Sequence, residues 1–308
     1  MERFGNAGFS FEVTDTPSAA GGGGGQVAVL LHGFPEDRHS WDGVASALAA
    51  AGYRVLAPDQ RGYSPGARPA ARSAYTLSQL AGDVLALADA AGAERFHLVG
   101  HDWGGALAWY VADHYPGRLI SLASLSVPHP QAFSRALASS NQAARSWYVA
   151  AFQLPALPEL ALSRRGGEAM RAALVRTGLD PGSAARYAAR AADPAALRGP
   201  LNWYRAIPLG LRERTGRIEV PALFMWGDGD RFVSRAAAEL CGRYVSGPYR
   251  FEVLEGASHW LPEEVPERVA ALLVAHFARA SGGGGLPLPD MAQYRGGEPC
   301  PPARAGNV

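Results

Sequence analysis

Residues 100–105 read Gly-His-Asp-Trp-Gly-Gly, and the third of them, Asp102, is the residue type that decides the chemistry. It follows the apolar run Phe96-His97-Leu98-Val99, which predicts a buried strand, and precedes Ala106-Leu107-Ala108-Trp109-Tyr110, which predicts a helix. A small-x-nucleophile-x-small pattern between strand and helix is the signature of a nucleophile elbow, where the turn is tight and the helix packs close to the strand. The usual occupant is Ser, which makes acyl-enzymes. A carboxylate in its place attacks a saturated carbon that bears a leaving group, and makes an alkyl-enzyme ester. Without further partners, Asp102 would read as an ordinary helix N-cap.

An alkyl-enzyme ester needs a base to activate the water that hydrolyses it. In a sheet of this kind the expected chain order is nucleophile, acid, His. Both partners follow Asp102 in that order. Trp226-Gly227-Asp228-Gly229-Asp230 places acids just past a strand end, and Gly256-Ala257-Ser258-His259-Trp260 places His259 just past the last strand. C-terminal strand ends are where such sheets keep their sites. Asp230 is preferred to Asp228, because three residues beyond Gly227 the loop has more reach; Asp228 would then cap the turn. His32-Gly33-Phe34-Pro35 follows another apolar run, and Pro35 has no N–H. An oxyanion hole is therefore expected from the backbone N–H groups of Phe34 and Trp103. His32 and His101 are expected to order their loops rather than to catalyse.

The flanking sequence predicts the elements that hold these residues. Phe9 to Val13 alternates like an edge strand, and Gly21 to Gly25 reads as a flexible hairpin loop. Val27 to Leu31 is continuously apolar, as expected of a strand buried on both faces. Strands are also predicted at 53–57, 96–99, 119–126, 222–226 and 249–254, and helices at 41–51, 77–91, 236–241 and 265–280. This βαβα rhythm argues for an α/β protein with a doubly wound, mostly parallel sheet. It is lost between 129 and 213, which is rich in Ala and Arg with several prolines and reads as an inserted helical cap. The expected organisation is therefore a core in two parts, 1–128 and 214–281, the cap at 129–213, and a Pro- and Gly-rich tail at 282–308 expected to be disordered.

Composition narrows the classes. The 308 residues carry 29 basic and 28 acidic groups, a net charge of +1 that offers no field for nucleic acid or an anionic membrane, so neither is expected as a partner. Every basic residue is Arg, so Schiff-base and P-loop lysine chemistry are excluded. Two cysteines in unlike contexts, Cys241 and Cys300, make neither a disulfide framework nor a metal cluster. No apolar run reaches the ~18–20 residues of a membrane helix, and no signal peptide is read at the N-terminus, so a cytoplasmic location is the default.

Together, His32-Gly33-Phe34-Pro35, Gly100-His101-Asp102-Trp103-Gly104-Gly105, Gly227-Asp228-Gly229-Asp230 and His259-Trp260 resemble the epoxide hydrolase branch of the α/β-hydrolase superfamily. These motifs are shared with haloalkane and fluoroacetate dehalogenases, and the cap distinguishes them. Gly199-Pro200-Leu201-Asn202-Trp203-Tyr204-Arg205 is similar to the epoxide hydrolase segment that carries one ring-opening tyrosine. Trp147-Tyr148, followed by Phe152-Gln153-Leu154-Pro155, is similar to the segment that carries the other. The resemblance implies that Tyr148 and Tyr204 polarise and protonate the ring oxygen, that Asp102, Asp230 and His259 do the covalent chemistry, and that Trp103, Trp147, Trp203 and Phe152 line an apolar pocket. It implies an apolar epoxide and water as substrates, a vicinal diol as product and no cofactor or metal, and it leaves room for a homodimer. A haloalkane dehalogenase with the same set of residues and a non-catalytic binder of apolar ligands are the alternatives. The alkoxide leaving group of an epoxide needs phenol donors, whereas a halide does not.

Overall fold

The computed structural model describes residues 1–19, 25–211 and 213–282. Residues 21–24 of the expected glycine loop and residues 283–308 of the expected tail lie outside them. Eight strands form one sheet: β1 (Arg3–Asn6), β2 (Phe9–Thr16), β3 (Val27–Leu31), β4 (Arg54–Pro58), β5 (Phe96–His101), β6 (Leu119–Leu125), β7 (Ala222–Gly227) and β8 (Tyr249–Leu254). Their spatial order is β1-β2-β4-β3-β5-β6-β7-β8. β1 pairs antiparallel with β2 and β2 with β4, and every other pairing is parallel. The expected mostly parallel sheet is present, with one correction. Phe9–Val13 is not at the edge, because β1 pairs outside it and Phe4 stacks on Phe11 with ring centroids 4.8 Å apart.

Alternation along the central strands builds a core on each face. Ala28 and Leu30 of β3 join Val55, Val99, Ala123 and Leu223 beneath α1 (Asp42–Ala50) and the C-terminal helix. Val27, Val29 and Leu31 point the other way, with Leu98 and Phe224, towards α2 (Leu77–Ala90) and α3 (Trp103–His114). All five β3 residues are buried, which is why no polar residue interrupts the run. Leu98 illustrates the magnitude: fully burying one such side chain stabilises by roughly 1.5–3 kcal/mol.

Between β6 and β7 the described residues form seven helices: α4 (Pro130–Ser139), α5 (Gln142–Arg145), α6 (Trp147–Ala151), α7 (Leu157–Ser163), α8 (Glu168–Arg176), α9 (Pro181–Ala191) and α10 (Pro194–Ala206). Their prolines mark starts as well as breaks: Pro130, Pro158, Pro181 and Pro194 sit in first turns, where a missing N–H costs nothing. The helices share a small core of their own around Met170, Tyr187 and Leu201, which meets Trp260 of the sheet domain. After β7 come α11 (Arg235–Leu240), α12 (Leu261–Glu264) and α13 (Pro266–Ala280). No helix among the described residues is long and apolar enough to cross a membrane.

Candidate active site

β5 ends at His101, and α3 begins at Trp103, leaving Asp102 alone in the turn with φ 51° and ψ −117°. Such a conformation is costly for a non-glycine residue and persists only where the surroundings impose it. Here the imposition is close packing. A Cβ at Gly100 would lie 2.0 Å from the carbonyl oxygen of Gly104, and one at Gly104 would lie 2.2 Å from that of Leu31. The small residues of the motif are thus contact points between helix and strands. Gly33 meets Asp102 itself: a Cβ there would lie 2.3 Å from the Asp102 Cβ.

That approach lets the Phe34 amide donate to Asp102 Oδ1 at 2.9 Å. On the other side, Asp102 Oδ2 lies 3.5 Å from His259 Nε2. His259 Nδ1 sits 2.8 Å from Asp230 Oδ2. Asp230 Oδ1 in turn accepts from the Phe232 and Val233 amides at 2.7 and 3.0 Å. Of the two acids on the Gly227 loop, Asp230 is the one that meets His259, whereas Asp228 Oδ1 accepts from the Gly256 amide at 2.7 Å and closes the turn.

The charges follow from this placement. Burial by itself would lower the His259 pKa, but the Asp230 and Asp102 carboxylates outweigh it and raise it to about 10. Burial by itself would raise that of Asp102, but His259 and the Phe34 amide hold it below the ordinary carboxylate value. The resting arrangement is a carboxylate, an imidazolium and a second carboxylate in line.

Above the carboxylate lies a cluster of aromatic rings. Tyr148, on α6, and Tyr204, on α10, face each other with centroids 6.1 Å apart. Phe152 packs on Tyr204 at 4.9 Å, Phe34 on Tyr204 at 5.4 Å and Trp103 on Tyr204 at 5.0 Å. Burial, with the charge of Asp102 next, pushes both phenols above their ordinary pKa, so both keep their protons. Tyr204 is delivered by α10, which is pinned to the sheet domain where Trp203 Nε1 donates to the Arg61 carbonyl at 2.8 Å. Trp203 packs edge-on against Trp103, with centroids 5.8 Å apart.

Trp147 requires a correction. It was expected to line the pocket, but its side chain is 69% exposed. Adjacent helix residues point about 100° apart, so turning Tyr148 inward turns Trp147 out. Two participants, Phe232 and Glu36, carry no motif in the sequence. Phe232 packs on His259 at 4.8 Å and on Tyr148 at 5.6 Å. Glu36, fully buried, accepts from the Gly33 amide at 2.8 Å and pairs with His101 Nδ1 at 2.7 Å. His101 Nε2 lies 2.8 Å from the His259 carbonyl. Both nitrogens of His101 thus face acceptors, so both donate, and its pKa is raised against burial by Glu36. The signal was an acid directly after the Gly-Phe-Pro turn, which has no reason to be buried unless paired. His32 does order its loop: Nε2 accepts from the Gln60 amide at 3.2 Å and Nδ1 lies 2.9 Å from the Gly33 carbonyl.

The model of the alpha/beta hydrolase fold matches residues 27–266. An Epoxide hydrolase A of Mycobacterium tuberculosis is 36% identical over 296 residues, covering 83% of this chain and 91% of that protein. The chain belongs to the epoxide hydrolases of the α/β-hydrolase family. An AB hydrolase superfamily protein, YfhM, of Bacillus subtilis is 37% identical over 269 residues, covering 84% of this chain and 93% of that protein. Among solved structures, Epoxide Hydrolase A from Mycobacterium thermoresistibile superimposes with a TM-score of 0.74 at 29% identity, covering 90% of this chain and 97% of that one.

Proposed function

We propose that this epoxide hydrolase opens small apolar epoxides through an ester on Asp102 and releases vicinal diols. The observation that carries the reading is the division of labour between the two Asp102 oxygens. Oδ1 is held by the Phe34 amide, while Oδ2 faces His259 and the phenols are overhead. Oδ2 is then the attacking atom. It forms a bond to one ring carbon as the C–O bond of the ring breaks, and a proton passes from Tyr148 or Tyr204 to the departing oxygen.

Alkylation changes the electrostatics of the base. The ester is neutral, so His259 loses one of the two carboxylates that held its proton. The proton it sheds balances the one the phenol gave up. Neutral His259 then takes a proton from water, whose oxygen attacks the ester carbonyl. Oδ1 becomes the oxyanion, held by the Phe34 amide and, in this reading, by that of Trp103. The bond between the carbonyl carbon and Oδ2 breaks, the departing alkoxide takes the remaining proton of the added water, the diol leaves, and Asp102 returns ionised beside a cationic His259. In this scheme 129–213 acts as a cap that brings the phenols to the nucleophile.

A single turnover of styrene oxide in oxygen-18 water tests the route. The first diol should carry unlabelled oxygen from Asp102, with label appearing in the protein. Label in the first-turnover diol would sink the covalent step. Converting both Tyr148 and Tyr204 to Phe should slow ring opening by about 10²–10⁴-fold, and an unchanged rate would leave the tyrosines with packing alone.

A further inference from the structure

The net charge of +1 conceals a division. Residues 129–213 hold 11 arginines against 5 acids, and the rest of the chain 18 against 23. Apolar exposure is divided in the same way. Of the ten large apolar side chains exposed among the described residues, nine lie in 129–213 and only Tyr115 lies elsewhere. Scattered exposed leucines are unremarkable, but a contiguous group calls for an explanation.

Six of the nine lie on two segments, 154–160 and 207–211, that are tied together. Arg205, near the end of α10, donates to the Phe152 and Leu154 carbonyls at 3.1 and 2.7 Å, and Gln153 Nε2 to the Tyr204 carbonyl at 2.7 Å. The 152–160 segment is thereby clamped against the chain that runs on through Ile207 to Leu211. Leu154, Leu157, Leu160, Leu209 and Leu211 are each 48% exposed or more, and Trp147 stands one residue from Tyr148. The crown they form has a basic rim. Arg198 and Arg72 share a groove of about 920 Å³ with Leu160 and Pro155. Arg214 borders Ile207 and Leu211 in a second groove, and Arg164 follows α7 directly. None of these four arginines forms an ion pair among the described residues, whereas the acids that line the two grooves are engaged, Glu159 with Arg205 and Glu213 with Ser78.

We propose that this face of the cap docks on an anionic lipid surface. Aliphatic and tryptophan side chains at loop and helix ends, ringed by arginine, suit the boundary between headgroups and acyl chains, where apolar burial and attraction to anionic lipid add. A second copy of the chain fits less well. A two-fold contact through the crown would set the two basic caps against each other. The crown's two segments follow directly on the helices that carry Tyr148 and Tyr204, so a docked enzyme would meet apolar substrate where it dissolves. The docking does not depend on the catalytic reading and is measured without turnover.

The test is co-sedimentation of the full chain with phosphatidylcholine vesicles and with vesicles containing about one-third phosphatidylglycerol, at low and high salt. Binding is expected to the anionic vesicles at low salt and to weaken with salt. Arg164→Gln with Arg198→Gln should cut partitioning roughly fivefold for each arginine. Leu157→Ser with Leu209→Ser should cut it at least about tenfold. Turnover of styrene oxide in lipid-free buffer should be unchanged in both variants, which shows that they fold. Equal binding to neutral and anionic vesicles, or none to either, would overturn the proposal. So would a dimeric mass in solution that falls to monomer in the leucine variant, which would assign the face to a second copy.

Discussion

Replacing Asp102 by Asn should turn His259 from a cation at neutral pH into a base that titrates near neutrality. The substitution keeps the shape of the side chain and removes its charge, as alkylation does. The lost interaction can be sized from the 3.5 Å between His259 Nε2 and Asp102 Oδ2. At an effective dielectric constant of about 20, a pair at that distance contributes about 5 kcal/mol, or a little over three decades in the proton equilibrium. His259, held at about 10 in the wild type, should then fall to roughly 7. Asp230, at 2.8 Å, keeps it from falling further. Imidazole nitrogen shifts followed by NMR across pH 5–11 would read both values, with the Asp102→Asn, His259→Gln double variant assigning the signal. A wild-type His259 that titrates near 6.5, or an Asp102→Asn protein in which it stays charged above pH 9, would refute the electrostatic account. The same logic predicts that the ester of the wild-type enzyme hydrolyses with a pH dependence centred near 7, although the resting imidazole titrates far above it.

Two further outcomes follow from the packing. Gly33→Ala would place a methyl group 2.3 Å from the Asp102 Cβ and 2.7 Å from Oδ1. Displacing the nucleophile should slow alkylation by about 100-fold, while overpacking costs only about 1–3 kcal/mol of stability; turnover near the wild-type rate, alongside a denaturation curve, would contradict it. Glu263 is half-buried and pairs with Arg186 of α9 at 2.8 Å, yet burial followed by the Glu36 charge raises its pKa to about 7. The native state thus keeps a proton that the unfolded chain releases near 4.5, so stability falls as pH rises from 4.5 to 7. Glu263→Gln should remove that slope and gain up to about 3 kcal/mol at pH 8, as read by urea denaturation at pH 5 and 8; a variant that tracks the wild type at both would refute it.

Strand ends, a tight turn and the types of the residues in it are local matters, and the sequence by itself determined them. Asp102 in a small-residue elbow, His259 after the last strand and the loss of βαβα rhythm after 128 could each be read from a few neighbours, because backbone geometry over ten residues constrains composition. Whichever groups meet across the chain were decided only by the tertiary structure. Asp228 and Asp230 sit on one loop two residues apart, and only the position of the Gly256 turn made one a cap and the other the partner of His259. Trp147 and Tyr148 are neighbours, and only the placement of α6 turned one to solvent and the other to Asp102. Glu36 and His101 are 65 positions apart, and neither local stretch names the other as its partner, yet they form a buried pair behind the nucleophile. Such pairings depend on distances of about 3 Å between loops fixed by packing elsewhere, and short-range patterning does not encode them.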